Sequence, residues 1–225
     1  MKRRIVKKFR SPEAMAAFAA ELFSKTLRGT QAPPLLAALP GGGTPLLFFH
    51  RLAAMKLSWE KTVFFMSDER LVPASSKHSN FGSARRSLFS RIKIPRANLR
   101  PVRPGPGAAA AYEAELKAAA GPEGRLDIIF LGLGADGHTA SLFPGSPAPA
   151  NRRLVAAAAA PAGVVPARRI TLTLKALNRA ETVVLLAAGP AKRAAFLKAA
   201  AGDKKIPAGR LRPRGDLYLL FSEKP

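Results

Sequence analysis

Short apolar runs alternate with amphipathic stretches along almost the whole chain. The apolar runs that predict strands cover residues 5–9, 35–39, 62–66, 126–133, 154–158, 169–174, 182–188 and 217–221. Helices are predicted over residues 12–27, 45–57, 81–91, 108–120 and 190–201, with a helical turn at 175–178 and a polar loop at 67–80. Strands that alternate with helices are typical of a mostly parallel α/β sheet. The connector near residues 101–107 is long, but neither of its flanks looks like a free-standing core, so we predict one α/β domain over residues 1–225, without internal repeats.

The first helix carries the local signals most clearly. Ser11 is a residue type favoured at the N-cap, Pro12 suits the first helical position, and Glu13 complements the helix dipole. Apolar side chains then recur from Met15 to Leu22 at the spacing of one buried helix face.

Composition excludes several classes of protein. The 225 residues are 48% hydrophobic, which argues against disorder. The chain has no cysteine, so disulfides and thiolate metal sites are excluded. The first eight residues are basic and lack the apolar stretch of a secretory signal, and no run approaches the ~18 apolar residues of a membrane span. We therefore expect a cytoplasmic protein with no membrane partner.

The charge is strongly positive. Lys and Arg number 37 against 14 Asp and Glu, a formal charge of +23, which by itself suggests a nucleic-acid-binding protein. The basic residues are scattered, however, and aromatic residues make up only 7% of the chain. A solvated basic surface that binds polyanions without specificity at low salt is the simpler interpretation.

Two glycine turns join predicted strands to helices. Gly41, Gly42 and Gly43 precede Thr44, and glycines followed by a helix start allow backbone N–H groups to approach an anion. Thr44 can also cap the following helix. Lys192 stands in a first helical turn after Gly189, where the helix dipole disfavours a cation unless it reaches an anionic ligand. Without an anionic ligand, the segment at 41–44 would be only a tight turn and Lys192 only an exposed lysine.

A third polar segment follows the strand at 62–66. Asp68, Glu69 and Arg70 could orient hydroxyls or a catalytic group at the end of that strand, or could form a surface ion pair. Ser79 and Asn80 downstream look like the start of a helix.

The most specific segment is the loop after the strand at 126–133. It holds three glycines, Asp136, His138, Thr139 and Ser141 at the end of a buried strand, where open α/β sheets bind ligands. His138 can act as a general base near neutral pH, and Asp136 could orient it. No second histidine has metal-ligand spacing and no G-x-S-x-G elbow is present, so we expect no metal and no cofactor, and a histidine that activates water directly.

The chain resembles the glucosamine-6-phosphate isomerase/6-phosphogluconolactonase family, and within it the 6-phosphogluconolactonases. The segments that carry the resemblance follow the family's order and cover residues 39–45, 68–73 with 79–80, 131–145, 169–173 through 178, 189–192 and 207–208. The resemblance implies a Rossmann-like fold and hydrolysis of 6-phosphogluconolactone, a step of the pentose phosphate pathway. It implies that His138 deprotonates the attacking water, which predicts activity that falls at acid pH.

The same resemblance implies which residues hold the substrate. The phosphate would be bound by the turn of Gly42, Gly43 and Thr44 and by three cations, Lys192, Arg70 and Arg169. Two carboxylates, Asp68 and Asp136, match motif positions near the sugar and the base. Many relatives carry Ser or Arg at position 43, so a phosphate-binding side chain is missing there. The tail after residue 207 matches the family poorly.

Alternatives remain open at this point. A glucosamine-6-phosphate deaminase or isomerase would share the fold and the Asp-Gly-His loop, but there the loop continues into a segment with a carboxylate, whereas here Thr139 to Pro144 contains none. The other two alternatives are a basic nucleic-acid-binding protein and a catalytically silent relative of the family. We expect a monomer whose partner is a small sugar-phosphate lactone, with no specific nucleic acid.

Overall fold

A computed structural model describes residues 1–150 and 152–225. Its strands are β1 (Arg3–Phe9), β2 (Leu35–Leu39), β3 (Thr62–Met66), β4 (Asp68–Arg70), β5 (Leu99–Arg100), β6 (Ile128–Gly132), β7 (Val155–Ala159), β8 (Arg168–Leu172), β9 (Thr182–Ala188) and β10 (Asp216–Ser222). Its α-helices are α1 (Pro12–Gly29), α2 (Pro45–Ala53), α3 (Asn80–Ser87), α4 (Ala108–Ala120), α5 (Leu174–Arg179) and α6 (Arg193–Ala201).

The central sheet has seven strands in the order β1-β10-β9-β6-β2-β3-β5, and every neighbouring pair is parallel. This confirms the predicted mostly parallel α/β fold. Of the helices in the described residues, none combines the length and the apolar character needed to cross a lipid bilayer.

Alternate residues of the central strands face two hydrophobic layers. In β3, Phe64 packs into the layer beneath α1, α2 and α3, and Phe65 packs into the layer beneath α4 and α6. The same alternation places Phe130 and Leu131 of β6 on opposite faces. Burial of both faces explains why these strands are continuous apolar runs rather than alternating ones.

A second, three-stranded sheet in the order β4-β8-β7 is antiparallel and was not predicted. The prediction of a loop over residues 67–80 was wrong at Asp68–Arg70, which form β4. Hydrophobic patterning misses this strand because its residues are charged and its pairing partner, β8, is far along the chain. The strands at 154–158 and 169–174 were predicted, but they belong to this sheet.

Two predicted helices end earlier than their apolar patterns indicated. Helix α2 ends at Ala53 rather than at residue 57, and the apolar Met55 and Leu57 pack against the core from an irregular turn. Helix α3 ends at Ser87, because Leu88 leaves the helical region and the chain continues as a 3-10 turn. Leu88 and Phe89 are apolar because they are buried in the core beyond the end of the helix, and not because they continue its periodicity.

The strand order reverses direction between β2 and β6. From β2 the chain proceeds to β3 and β5 on one side, whereas from β6 it proceeds to β9 and β10 on the other. Loops that leave two such neighbouring strands in opposite directions open a crevice at their carboxyl ends, which is where ligands bind in open α/β sheets. The turn at residues 41–44 follows β2, and the loop at 133–144 follows β6.

Candidate active site

A cleft of about 290 Å³ lies at the carboxyl ends of the parallel strands. Its walls come from the turn after β2, from β4 and the start of α3, from the loop after β6, from β8 and from the turn after β9. They are formed by Pro40, Gly41, Gly42, Gly43, Thr44, Pro45, Asp68, Arg70, Asn80, Gly132, Leu133, Gly134, His138, Ala140, Arg169 and Lys192.

The turn after β2 exposes backbone at the cleft. Gly42 has a φ of +94°, a conformation that favours glycine. A Cβ atom on Gly43 would meet nothing within 4 Å, so that position is open, whereas one on Gly41 would lie 1.8 Å from Oδ1 of Asn80. Gly41 is therefore required for the close approach of Asn80, and Gly43 is not required by packing.

Thr44 does not cap α2, contrary to the expectation from sequence. Its backbone is already helical, and its side chain makes no capping hydrogen bond. Instead, Oγ1 of Thr44 accepts a hydrogen bond of 3.0 Å from Nζ of Lys192. The hydroxyl thus joins the turn after β2 to the turn after β9.

Lys192 is a partly buried cation at the cleft. Gly189, with a φ of +92°, turns the chain out of β9, and a 3-10 turn then presents Lys192 at the start of α6. Burial lowers the pKa of the Lys192 ammonium, since the charged form loses hydration. An anion bound beside it would offset that loss.

Arg70 and Arg169 supply two further positive charges. Desolvation, and then repulsion from Arg70, lower the pKa of Arg169. Arg70 donates through one terminal nitrogen to the backbone oxygen of His78 at 2.7 Å. Among the described residues, Nε of each arginine is buried and has no hydrogen-bond partner. Both arginines line the cleft, and guanidinium groups are well suited to bind anionic oxygens.

Asp68 is held by hydrogen bonds on both carboxylate oxygens. Oγ of Ser141 donates to Oδ2 at 2.6 Å, and Nδ2 of Asn80 donates to Oδ1 at 3.1 Å. The same Asn80 amide donates to the backbone oxygen of Asp68 at 2.8 Å. The loop after β6 and the start of α3 are therefore joined through one buried carboxylate.

Glu69 points away from the cleft and caps α3. Its carboxylate accepts hydrogen bonds from the backbone N–H groups of Arg70, Asn80 and Phe81 and from the hydroxyl of Ser79. Burial nevertheless raises the pKa of Glu69, because the loss of hydration exceeds the effect of these bonds. Ser79 is the N-cap residue of this helix, as the sequence suggested.

His138 forms a pair with Asp136. Nδ1 of His138 lies 2.6 Å from Oδ1 of Asp136, and the same oxygen accepts the backbone N–H of His138 at 3.0 Å. With the carboxylate ionised, Nδ1 carries the proton and Nε2 is the basic nitrogen. A Cβ on Gly134 would lie 2.1 Å from Nδ1, so glycine is required beneath the ring.

The rest of the histidine loop is anchored from both sides. The ring of His138 packs against Phe143 at a centroid distance of 4.8 Å, and the guanidinium of Arg169 lies 5.9 Å from the centroid of Phe143. Ala140 has a φ of +49°, a strained value for a residue other than glycine. The backbone N–H of Ser141 donates to Oγ1 of Thr171 in β8 at 3.1 Å.

The structure brings together most of the residues that the sequence singled out. Asp136 lies behind the histidine ring and does not line the cleft, whereas the others do: Gly42, Gly43, Thr44, Asp68, Arg70, His138, Arg169 and Lys192. Their functional roles stay predictions. In the part of the chain that the structure describes, no three His, Cys, Asp or Glu side chains are grouped so that they could hold a metal ion.

Sequence reasoning gave too little weight to two residues at the site. Asn80 was assigned to helix capping, although its side chain faces the cleft and holds Asp68. Ser141 was noted in the histidine loop without a role, and its hydroxyl proves to be the partner of Asp68. The resemblance had placed both residues within matching segments, which was the available signal.

Comparisons with known proteins identify a family and relatives with similar sequences. The profile of the family described as glucosamine-6-phosphate isomerases/6-phosphogluconolactonase matches residues 10–219. A 6-phosphogluconolactonase of Synechocystis sp. is 37% identical over 202 residues, covering 83% of this chain and 81% of the relative.

Solved structures show the same architecture. The crystal structure of 6-phosphogluconolactonase from Thermotoga maritima superposes with a TM-score of 0.89 at 30% identity, covering 98% of this chain and all (100%) of that one. A monomeric glucosamine-6-phosphate deaminase superposes with a TM-score of 0.86 at 19% identity, covering 99% of this chain and 97% of the other. The latter likeness concerns the fold alone.

Proposed function

The chain belongs to the glucosamine-6-phosphate isomerase/6-phosphogluconolactonase family, and we propose that it hydrolyses 6-phosphogluconolactone with His138 as the base that activates water. The observation that carries the proposal is the pairing of His138 with Asp136 in a cleft whose other charged groups are mainly cations. A base and an anion site in one cleft match a substrate with a hydrolysable ester and a phosphate.

The substrate's phosphate would be bound by Arg70, Arg169 and Lys192, with backbone N–H groups of Gly42 and Gly43 beside them. These three cations face one carboxylate, Asp68, whose oxygens are already hydrogen bonded. The net positive field therefore remains available to a phosphate.

The chemical step follows from the orientation of the imidazole. Nε2 of His138 takes a proton from water while the water oxygen attacks C1 of the lactone. The resulting tetrahedral intermediate collapses as the bond between C1 and the ring oxygen breaks, and the imidazolium returns the proton to that oxygen. Asp136 holds the Nδ1 proton throughout and stabilises the imidazolium between the two steps.

The sequence of the histidine loop favours the lactonase over the deaminase. From Thr139 to Pro144 the loop has no carboxylate. Phe143, in the same segment, packs against the ring of His138. A second carboxylate for proton transfer to the sugar carbon is therefore absent from this loop.

The protein is proposed to act as a single domain and without help from a second copy. The described residues of one chain supply the base, its carboxylate partner and the three cations. Light scattering during gel filtration would give the mass in solution, and a dimer whose dissociation abolished activity would contradict this part of the proposal.

The deciding experiment compares two substrates and two variants. We expect the wild-type protein to hydrolyse 6-phosphogluconolactone and to release no ammonia from glucosamine 6-phosphate. His138→Ala should fold normally and lose about 10²–10⁴-fold in kcat. His50→Ala, at an exposed position on α2 outside the cleft, is the matched control and should retain full activity.

Two results would overturn the proposal. Unchanged kcat in His138→Ala would remove the base from the mechanism. Ammonia release at a rate exceeding lactone hydrolysis would move the chain to the deaminase branch of the family.

A further inference from the structure

A second concave surface, which shares no lining residue with the cleft, is strongly basic. It encloses about 720 Å³ and carries the side chains of Arg152, Lys175, Lys204, Arg210 and Arg212. These five cations come from the segment before β7, from α5 and from the connection between α6 and β10. We call this surface the basic groove.

The walls of the basic groove are held in place by hydrogen bonds between its segments. Nδ2 of Asn178 in α5 donates to the backbone oxygen of Arg210 at 3.2 Å, and Oδ1 accepts the backbone N–H of Arg212 at 2.6 Å. A terminal nitrogen of Arg212 donates to the backbone oxygens of Gly209 and Leu211. These bonds fix the backbone of Arg210 and Arg212 against α5, the helix that carries Lys175.

The positive charge of the basic groove is not neutralised. Among the described residues that line it, none is acidic, and none of its five cations takes part in an ion pair. Asp203, which precedes Lys204, accepts the backbone N–H of Lys205 at 2.9 Å. Elsewhere on the surface, Lys2 and Arg179 do have carboxylate partners. Clustered cations without counter-charges favour a ligand with several negative charges.

The lining indicates the chemical class of that ligand. Three of the five cations are arginines, whose planar donors match phosphate oxygens. The described lining has no aromatic side chain on which a base could stack. Its apolar members are the small Ala150 and the buried Leu174, which offer little apolar surface to a protein or a lipid. Contacts of this kind reach phosphates and carry no sequence information.

We propose that the basic groove binds the phosphodiester backbone of nucleic acid without sequence preference. This site is separate from the cleft and does not depend on the proposed lactonase activity. Binding through phosphates releases condensed counterions, so the affinity should fall steeply with salt.

The test uses two variants with the same change in charge. Arg152, Lys175, Lys204 and Arg210 are exposed and are all replaced by Gln in the groove variant. In the control variant, two lysines and two arginines that are exposed outside the groove are replaced by Gln: Lys8, Lys25, Arg51 and Arg85. Arg212 is left intact because its side chain holds the backbone.

The measurement is fluorescence anisotropy with two labelled duplexes of about 20 base pairs and unrelated sequence, at about 0.05–0.2 M salt. Wild type should bind both duplexes equally. The groove variant should bind at least about tenfold more weakly, with a slope of log K against log salt reduced by about 2–4, whereas the control should change by no more than about twofold. Both variants should retain the wild-type rate of lactone hydrolysis, which verifies their folding.

Three results would each overturn the proposal. Equal weakening in both variants would mean that net charge alone attracts the duplex. Displacement of the duplex by 6-phosphogluconate would place the binding in the cleft. Binding of inorganic tripolyphosphate in the basic groove, without binding of either duplex, would make the ligand a small polyphosphate.

Discussion

Arg70 and Arg169 lie directly opposite each other on the antiparallel strands β4 and β8, and both line the cleft. Like charges in directly opposed positions destabilise a sheet. Burial, and then their mutual repulsion, lowers the pKa of Arg169. If the proposed phosphate site is correct, a phosphate bound between the two arginines would offset that repulsion.

Arg169→Gln should raise KM for the lactone by about 10–100-fold, because one charge-assisted contact is lost. Inorganic phosphate should raise Tm of the wild type by binding the folded state, and should raise Tm of this variant less. Arg168→Gln, at the exposed neighbouring position on β8, is the control and should behave like the wild type. An unchanged KM in Arg169→Gln would remove this residue from substrate binding.

Lys192 should make substrate capture sensitive to alkaline pH. Burial lowers its pKa, so the free protein loses this charge before exposed lysines titrate, and kcat/KM should decline over that range. Because the unfolded chain keeps the proton longer, the free energy of unfolding contributed by this group rises with pH there. In Lys192→Met the alkaline decline should flatten and KM should rise. Lys198→Met, exposed on α6, should leave the profile unchanged.

Asp136→Asn should lower kcat by about 10–100-fold with little change in KM, because the amide no longer holds the Nδ1 proton of His138 in place. The pair is partly exposed, with the His138 side chain 35% accessible, so we expect less than the loss at a buried triad. Asp203→Asn is a matched control, since its carboxylate also accepts an N–H two residues along the chain. A KM effect without a kcat effect would contradict the assigned role.

Ser141→Ala should destabilise the protein by about 1–3 kcal/mol, because it leaves one oxygen of the buried Asp68 carboxylate without its donor. Since the loop also carries His138, kcat should fall as well. Ser67→Ala tests the same chemistry at a buried hydroxyl that has no hydrogen-bond partner among the described residues, and its free energy of unfolding should change little. Urea denaturation gives the free energy of unfolding of both variants, and an equal decrease in the two would contradict the argument.

Two glycines of the cleft should respond differently to a methyl group. Gly134→Ala places a Cβ 2.1 Å from Nδ1 of His138, so the ring must move and kcat should fall about tenfold or more. Gly43→Ala enters open space and should leave kcat and Tm near wild type. The same openness predicts that Gly43→Ser folds and lowers KM by adding a hydroxyl beside the phosphate. Loss of folding in either position-43 variant would contradict this.

The sequence predicted the elements whose signals are local. The apolar runs identified six of the seven strands of the central sheet and missed the two-residue β5, which lies in a Pro- and Arg-rich connector. Ser11 and Ser79 cap helices as their residue types indicate. Predictions failed where the interaction partner of a residue lies far away in the sequence. Thr44 has the residue type of a cap, yet its hydroxyl bonds to Lys192, which is 148 residues away.

The charged strand β4 is the clearest failure. Its residues have no hydrophobic pattern, and the strand exists because β8 pairs with it about 100 residues later in the chain. Asn80 and Ser141 were undervalued for the same reason, since their partner, Asp68, is distant in sequence from Ser141 and is placed by that pairing.

By itself, the sequence determined the α/β class, the histidine loop and the glycine turns that follow the ends of strands. Those features depend on residue spacing and backbone preference within a few positions. Only the tertiary structure decided that Arg70 faces Arg169, that Asp68 holds Ser141, and that a second basic surface stands apart from the cleft. Such juxtapositions are set by strand order and register, which result from burying both faces of the sheet at once.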